Sequence, residues 1–269
     1  MEMNEEMNPA IKRVNYHTHT NYCKHAAGTA AEYAAQARRR KVEILGFSDH
    51  LPFPGNPYGY RMDMEDLEAY CRDVGKERER YQGQMEVLCG FEGEYVEGQE
   101  DYYEWLYKEN FCQYMLLGQH WFADGKGQVW QTGGVPSTEY YPLYVDWLLK
   151  GMRTGFFRAI AHPDLIFMNS YAWDKYCEIA CDRLLEGCTA HNYLLEFNAN
   201  GYRRGICRFE DGERFQYPHR KLWEKIACTS LPVIIGSDCH HPKQVYDETV
   251  LDAYREAEEL GLCLVTELF

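Results

Sequence analysis

The chain has 269 residues, of which 45% are hydrophobic and 15% aromatic, and its formal net charge is -14 at pH 7. This length and apolar content suffice to bury one large core, and we expect a single domain that spans residues 1–269. The negative charge argues against nucleic acid or an anionic membrane as a partner, because both are bound through positive charge. A small anion can still enter a locally positive site.

The cysteines of the chain predict its cellular setting. The eleven cysteines include no C-x-x-C pair, and we expect no signal peptide before them. This pattern is typical of free thiols in the reduced cytoplasm. No apolar run reaches the length of a membrane span. Residues 1–12, which begin with the polar stretch MEMNEEMNPA, are predicted to be a flexible lead-in.

Seven short apolar runs rich in Val, Ile, Leu and Phe are predicted to be strands buried on both faces. In chain order these runs are residues 14–17, 44–48, 85–91, 114–118, 156–161, 193–198 and 231–237. Helix-like stretches lie between or after them, at residues 29–41, 64–81, 139–150, 174–188, 219–228 and 245–260. The alternation predicts an α/β fold in which a parallel sheet closes into a barrel of β/α units.

Two local patterns add detail to the predicted helices. Thr29 and Glu32 have the spacing of a capping box, which predicts that the first helix begins at residue 30. The aromatic clusters at 101–107 and 139–147 are expected to pack helices against the barrel. The sequence contains no internal linker and no repeat of fixed period.

Six of the seven predicted strands end in a histidine, an aspartate or a glutamate. These strand-end residues are His17 and His19, Asp49 and His50, Glu92 and Glu94, His120, His162, and Asp238 and His240. The carboxyl ends of the strands of a parallel barrel meet at one mouth, so we expect these side chains to converge there. His25, in the loop after the first strand, is close enough in sequence to reach the same mouth.

Taken singly, each of these residues also has a structural interpretation. His120 or His162 alone is typical of a hydrogen-bonded core histidine, and the motifs SDH and SDCH alone fit a helix N-cap or an Asx turn. The set as a whole favours a metal cluster. Neutral imidazoles with a few carboxylates are the ligands that bind zinc, iron or manganese.

The motifs resemble those of a known family, in the same order along the chain. They are HTHT at 17–20, FSDH at 47–50, GFE at 90–92, GQH at 118–120, AHPD at 161–164, LEFNANGYR at 195–203 and GSDCH at 236–240. Together they resemble the polymerase and histidinol phosphatase superfamily, and within it the histidinol-phosphate phosphatases, over residues 14–260. The resemblance implies a distorted seven-stranded (β/α)7 barrel with its metal site at the carboxyl ends of the strands.

The resemblance also implies three divalent metal ions, drawn from zinc, manganese and iron. The ligands of the first ion would be His17, His19, Glu92 and Asp238. The second ion would share Glu92 and be bound also by His120 and His162, and the third by His25, His50 and His240. The family pattern G-x-E favours Glu92 as the bridging ligand. Glu94 stays an alternative, because it shares a strand face with Glu92 if the strand continues.

Sites for phosphate monoesters usually add a guanidinium group, whose planar fork matches phosphate. The segment EFNANGYRRG supplies Arg203 and Arg204 just beyond the sixth strand, where both could instead face water. The family pattern E-x-N-x-x-G-x-R favours Arg203 as the phosphate contact and gives Asn198 a supporting or substrate-lining role. The resemblance thus implies Asp238, His240 and Arg203 as the catalytic residues.

The net charge expected for the metal-loaded site agrees with a phosphatase function. Three dications and two carboxylates leave a net charge of about +4, which requires an anionic substrate. Metal ions supply a hydroxide nucleophile from water and neutralise phosphate oxygens during displacement. We therefore expect a cytoplasmic, metal-dependent phosphomonoesterase whose partner is a small phosphate ester, by resemblance L-histidinol phosphate.

Other functions stay open at this point. The first is another phosphoesterase of the same superfamily, acting on a nucleotide or a different small phosphate. An exonuclease fits the acidic chain poorly, and an amidohydrolase or deaminase fits the extra His25 and His50 poorly. A metal-binding protein without turnover is the alternative from a different class. Hydrolysis of a chromogenic phosphate monoester with added manganese or zinc discriminates between these classes.

Overall fold

The computed structural model describes residues 12–268, so the predicted lead-in lies outside the described residues apart from Lys12. Within this part of the chain there are twelve strands. They are β1 Val14–Asn15, β2 Ile44–His50, β3 Glu86–Gly93, β4 Tyr114–Leu117, β5 Trp121–Ala123, β6 Val129–Gln131, β7 Ala159–Ile160, β8 Leu194–Asn198, β9 Ile206–Phe209, β10 Gly212–Phe215, β11 Pro232–Gly236 and β12 Cys263–Leu264. The helices are α1 Ala30–Arg39, α2 Leu67–Arg80, α3 Glu100–Lys108, α4 Tyr141–Arg153, α5 Lys175–His191, α6 Asn200–Arg203, α7 Arg220–Ala227 and α8 Glu248–Leu260.

Eight strands form one parallel sheet in the order β1-β2-β3-β4-β7-β8-β11-β12. The sheet curls until its first strand meets β11: Thr18 and Cys239 form a parallel bridge, and the His19 N–H donates to the Cys239 carbonyl at 3.0 Å. The fold is thus a distorted α/β barrel, as predicted, and all seven predicted strands are present. The difference is an eighth strand, β12, which pairs with β11 and is too short to produce a sequence pattern.

The helices cover the outside of the sheet and begin where local signals place them. The helix α1 starts at Ala30 with a complete capping box, in which Thr29 N–H donates to the Glu32 carboxylate at 2.8 Å. The aromatic clusters form α3 and α4, which bury Tyr103 and Tyr144 completely. None of the helices in residues 12–268 combines the length and apolarity that crossing a bilayer requires.

Two antiparallel hairpins that the sequence analysis did not predict interrupt the β/α order. One pairs β5 with β6 after the fourth parallel strand, and the other pairs β9 with β10 after α6. Their strands have only three or four residues, too few for a sequence pattern to separate them from loops. The hairpins matter because the segments next to them line the cavity described below.

The interior of the barrel is closed beneath the strand ends by a small apolar cluster. Tyr114 lies at its centre, fully buried, with Val14, Leu116 and Ile234 around it. The Tyr114 hydroxyl donates to the carbonyl of Tyr16 at 2.7 Å, which satisfies its polar group inside the core. This packed floor lies beneath the polar side chains at the carboxyl ends of the strands.

Candidate metal centre

The Glu92 carboxylate lies at the centre of the predicted site. It is 1% exposed at the end of β3, and histidine nitrogens from four other segments approach its two oxygens. The nitrogens are His162 Nε2 at 2.7 Å, His50 Nδ1 at 3.0 Å, His17 Nε2 and His19 Nε2 both at 3.4 Å, and His120 Nε2 at 3.5 Å. A carboxylate between two sets of imidazoles is the arrangement of a bridging ligand.

Asp238 follows β11 and faces the same histidines. Its Oδ1 lies 3.3 Å from His19 Nε2 and 3.7 Å from His17 Nε2, and its Oδ2 accepts a hydrogen bond from Asn200 at 3.1 Å. Its backbone has a φ of +46°, and His162 has a φ of +30°. Such left-handed backbone costs about 1–3 kcal/mol per residue and concentrates at functional sites. The fold therefore stores strain at two of the predicted ligands.

A second set of histidines continues the cluster toward solvent. His25 Nε2 and His240 Nε2 face each other at 3.0 Å, the rings of His25 and His50 have centroids 5.2 Å apart, and the ring of His19 stacks on His240 at 4.4 Å. We call His25, His50 and His240 the outer group. The inner group consists of Glu92, Asp238, His17, His19, His120 and His162.

The hydrogen bonds of the His25 and His240 rings leave a nitrogen lone pair on each ring that can bind a cation. His25 Nδ1 contacts the Cys23 carbonyl at 2.8 Å, and His240 Nδ1 contacts the Asp238 carbonyl at 3.1 Å, so each Nδ1 carries the proton. In the neutral rings both Nε2 lone pairs then point into a gap of 3.0 Å. Two lone pairs this close can share a proton or bind one metal ion. Groups whose donor atoms lie within 4.8 Å of one another include three built from predicted ligands alone, which are His17, His19 and Glu92; His17, His162 and Asp238; and His19, His50 and His240. Cys23 joins two others, with His25 and His240 and with His19 and Asp49.

The pKa values of the two carboxylates suit metal ligands. Burial raises the pKa of Glu92, but His120, His50 and His17 outweigh it and hold that pKa well below its ordinary value. Burial likewise opposes ionisation of Asp238, while His17 and the hydrogen bond from His19 bring its pKa well below the usual range. Both groups are therefore carboxylates at neutral pH, the form that coordinates cations.

Glu94, the alternative bridging ligand, has a different position. Its carboxylate forms a buried ion pair with Arg61 and lies 3.0 Å from His120 Nδ1, on the far side of that ring from Glu92. This geometry favours Glu92 over Glu94 as the bridge. Asp49 accepts a hydrogen bond from the Thr20 N–H at 2.9 Å and lies 3.8 Å from His19 Nδ1, the ring nitrogen opposite the one that faces Glu92.

Glu196, on β8, is a site residue that the sequence analysis missed. Its carboxylate is fully buried, lies 2.8 Å from His17 Nδ1 and accepts the His162 N–H at 3.0 Å. It thereby fixes the ring whose Nε2 faces Glu92. The signal was the alternation in LEFN, which places Glu196 and Asn198 on one strand face. A side chain at Gly236 would collide with this carboxylate, and one at Gly118 would collide with Glu92, which explains both glycines.

Arg203, predicted to be the phosphate contact, has its guanidinium bound within the protein beside the loop that follows β11, and in the described residues this group does not face the histidine cluster. Its guanidinium is 10% exposed and donates to Asp247 at 2.8 Å, to the Ser237 hydroxyl at 3.0 Å and to the Gln244 carbonyl at 3.1 Å. These contacts tie α6 to the start of α8. Its donors are used inside the protein, because α6 turns the side chain under the loop that follows β11.

Asn198 likewise supports the site from below. It is fully buried, and its side-chain amide donates to Glu196 at 2.9 Å and approaches Asp238 at 3.4 Å. Of the two roles predicted for it, the supporting one agrees with this geometry. The substrate-lining role does not, because the side chain has no exposed surface.

A cavity of about 290 Å³ opens directly above the cluster. It is lined by ligands of both groups and by eight further residues: Gln131, Thr132, Gly133, Leu165, Met168, Asn200, Arg204 and Tyr217. Arg204 is exposed, and its guanidinium carbon lies 5.4 Å from the centre of the Tyr217 ring. A larger groove of about 670 Å³ lies at the opposite end of the sheet, beside Leu194 and Pro232, far from the histidines.

Comparison with known proteins agrees with the fold. Residues 15–200 match the model of the PHP domain family. A probable histidinol-phosphatase of Deinococcus radiodurans is 28% identical over 255 residues, covering 93% of this chain and 94% of the relative. The histidinol-phosphatase of Bacillus subtilis is 21% identical over 261 residues, covering 85% of this chain and 94% of the relative.

Two solved structures share the fold. The histidinol phosphate phosphatase of Lactococcus lactis, crystallised with zinc, L-histidinol and phosphate, has a TM-score of 0.68 at 12% identity and covers 95% of this chain and 96% of its own. A structure from Listeria monocytogenes has a TM-score of 0.67 at 18% identity, covering 86% of this chain and 96% of its own.

The chain therefore belongs to the PHP domain family, and the predicted resemblance is confirmed. Within that family it is a phosphoric monoester hydrolase similar to histidinol phosphatases, with a cluster of side chains that can bind divalent metal ions.

Proposed function

We propose that this enzyme hydrolyses L-histidinol phosphate to L-histidinol and phosphate, in histidine biosynthesis. The observation that carries the proposal is the Glu92 carboxylate, which has five histidine nitrogens within 3.5 Å beside a small cavity. The named activity of the relatives, which align over most of both chains, supports the choice of substrate. The eleven free cysteines support a reducing compartment, and we assign the enzyme to the cytoplasm.

We assign three divalent ions, from zinc, manganese and iron, to the nine clustered residues. The inner group would hold two of them, with Glu92 as the shared ligand, and the outer group would hold the third. When bound, such ions activate water and neutralise the charge of a phosphoryl group. The cluster provides only two carboxylates, so it stays positive when loaded and attracts a phosphate dianion into an otherwise acidic protein.

The residues of the chain then orient the ester. Arg204 lines the cavity, where its Nη1 donates to Gln216 Oε1 at 3.4 Å and, in residues 12–268, no ion pair with a carboxylate is formed, so its guanidinium has further donors for a phosphate oxygen. Asn200 donates to Asp238 and holds that ligand in place at the edge of the same cavity. Leu165, Met168 and the Tyr217 ring form an apolar wall on which a flat organic group can rest.

The cavity also favours a second candidate substrate. Among the lining residues the only carboxylates are the two metal ligands Glu92 and Asp238, and the remaining charged side chain is the cation of Arg204. The ammonium group of histidinol therefore meets no acidic partner in the described part of the cavity. A small phosphate ester without an amine, or a nucleotide, fits this lining as a PHP phosphoesterase substrate.

A panel of phosphate esters tests the proposal. The metal-replete enzyme is assayed with L-histidinol phosphate, with the same ester lacking the amine, with nucleoside monophosphates and with a chromogenic aryl phosphate. We expect the highest kcat/KM for L-histidinol phosphate. A preference for the amine-free ester or a nucleotide would select the second candidate, and no release of phosphate from any ester would leave a metal-binding protein without turnover.

A further inference from the structure

Glu94 and Arg61 form a buried ion pair against a predicted metal ligand. The side chains are 1% and 5% exposed, and both approach His120 Nδ1: a Glu94 carboxylate oxygen at 3.0 Å and an Arg61 guanidinium nitrogen at 3.5 Å. Neither residue lines the cavity. Burying two charged side chains costs free energy even when they pair with each other. A buried ion pair beside a predicted ligand therefore indicates a role in the metal site.

The contact with Glu94 determines which nitrogen of His120 is free. A carboxylate beside Nδ1 accepts its proton, and the lone pair then lies on Nε2, the nitrogen that faces Glu92 at 3.5 Å. Glu94, however, is itself a competent metal ligand two residues beyond Glu92. A further contact is needed to hold the Glu94 carboxylate behind His120 and out of the cluster.

We propose that Arg61 and Glu94 are a positioning pair: Glu94 orients His120 toward the second metal ion, and Arg61 retains Glu94 in that position. The inference rests on the proposed metal site and adds two residues to it. Arg61 belongs to the 51–63 loop between β2 and α2, a segment with no predicted role in the sequence analysis.

The loop is attached so that this contact is maintained. Leu51 N–H donates to the carbonyl of Glu92 at 2.8 Å, and the Tyr102 hydroxyl donates to the carbonyl of Pro52 at 2.7 Å. Farther along, the Arg61 guanidinium lies over the ring of Tyr58, with 5.9 Å between its carbon and the ring centre. The loop thus connects the strand that bears the bridging carboxylate to the pair behind His120.

Metal titration of Glu94→Gln tests the first half of the proposal. Glutamine keeps the shape but is neutral, and we expect the affinity for one of the bound ions to fall about 10- to 100-fold, the usual cost of losing such a partner. Binding is measured by competition with a chelator, with folding checked by circular dichroism. Unchanged affinity for every ion would overturn the role of Glu94. Because no phosphate ester is used, this result is separate from the choice of substrate.

Cobalt spectra of Arg61→Met test the second half. Without Arg61 the Glu94 carboxylate is free to become an extra ligand, so we expect bound cobalt to be retained, its visible absorption to change and kcat to fall. In the double variant with Glu94→Gln the spectrum should match that of Glu94→Gln alone, since no carboxylate remains to enter the cluster. An Arg61→Met spectrum and kcat that match those of the wild-type enzyme, or a double variant whose spectrum differs from that of Glu94→Gln, would refute the role of Arg61.

Two further variants separate this effect from general loss of charge or fold. Lys150→Met removes a cation from an exposed ion pair with Glu97 and should leave metal affinity and the cobalt spectrum unchanged. Arg61→Lys retains a cation for Glu94 and should preserve the wild-type spectrum even if Arg61→Met does not fold. A changed spectrum in folded Arg61→Lys would count against a role that depends on the ion pair.

Discussion

The inner and outer groups of the cluster are held in different ways. In the inner group, the outward nitrogens of His17 and His120 contact the carboxylates Glu196 and Glu94, which are buried on or next to strands. In the outer group, those of His25 and His240 contact backbone carbonyls of loops. A carboxylate makes the ring a stronger donor and a strand fixes it more firmly than a loop does. We therefore expect the inner ions to bind tightly and the outer ion to exchange.

The largest effect is expected from Glu92→Gln, which removes the centre of the inner group. Loss of the shared carboxylate takes away charge and coordination at two positions together. We expect at most one ion per chain by elemental analysis and a fall in kcat of more than about 100-fold. Retention of three ions and of turnover would show that Glu92 is not the bridge, and the matched variant Glu94→Gln identifies the alternative.

The second-largest effect is expected on phosphate binding, from a substitution that should leave the inner and outer groups of ligands intact. Arg204→Ala removes a charge-assisted hydrogen bond of about 1.5–3 kcal/mol, which corresponds to a loss in kcat/KM of roughly ten- to more than a hundredfold. Metal content should not change. The control is Arg208→Ala, an exposed arginine on β9 outside the cavity lining, which should keep the wild-type kcat/KM. If the two variants had the same kcat/KM, Arg204 would not be a phosphate contact.

Partial chelation tests whether the inner and outer groups bind their ions with different affinities. A weak chelator should first remove about one ion per chain, from the outer group, and the remaining ions only at higher concentration, because the inner ligands have buried carboxylate partners. The measurement is residual metal and kcat against chelator concentration, repeated with His25→Ala. That variant should lack the first phase. A single phase in the wild-type protein would mean that the two groups bind with equal affinity.

The smallest effect on turnover is expected from Arg203→Met. This arginine ties α6 to Asp247 and the loop after β11, outside the cavity. We expect a loss of unfolding free energy of about 1.5–3 kcal/mol, seen as a lower Tm, with kcat/KM of the folded enzyme close to that of the wild type. A large fall in kcat/KM at full metal content would restore Arg203 as a phosphate contact.

Much of the site could be predicted from the sequence because its residues occupy strand ends. Parallel strands place their carboxyl ends together, so the positions of His17, Glu92, His162 and Asp238 after apolar runs indicate that they meet. The seven strands follow from the same runs. The eighth strand and the two hairpins were not predictable, since two to four residues carry too little periodicity to separate a strand from a loop.

The residues that support the site were harder to predict because their roles depend on tertiary contacts. Arg203 and Arg204 are neighbours in sequence, yet the single turn of α6 sends one to Asp247 and the other to the cavity. Arg61 lies in a loop, and nothing local indicates its partner Glu94 on another element. Glu196 shares a strand face with Asn198, but nothing in the sequence marks it as the partner of His17, because an ion's direct ligands leave a clearer pattern than the residues that orient them.

The bridge between Thr18 and Cys239 has a consequence for the order of events during synthesis. The contact between Cys239 and the His17 carbonyl joins residues that are 222 positions apart, so His17 and His19 meet Asp238 and His240 only when most of the chain has been made. Contacts so distant in sequence form late and slowly. A nascent chain that ends before β11 lacks part of both ligand groups. Both ligand groups are therefore complete only after the residues that follow β11 have met the first strand, and a tightly bound metal complement reports that contact.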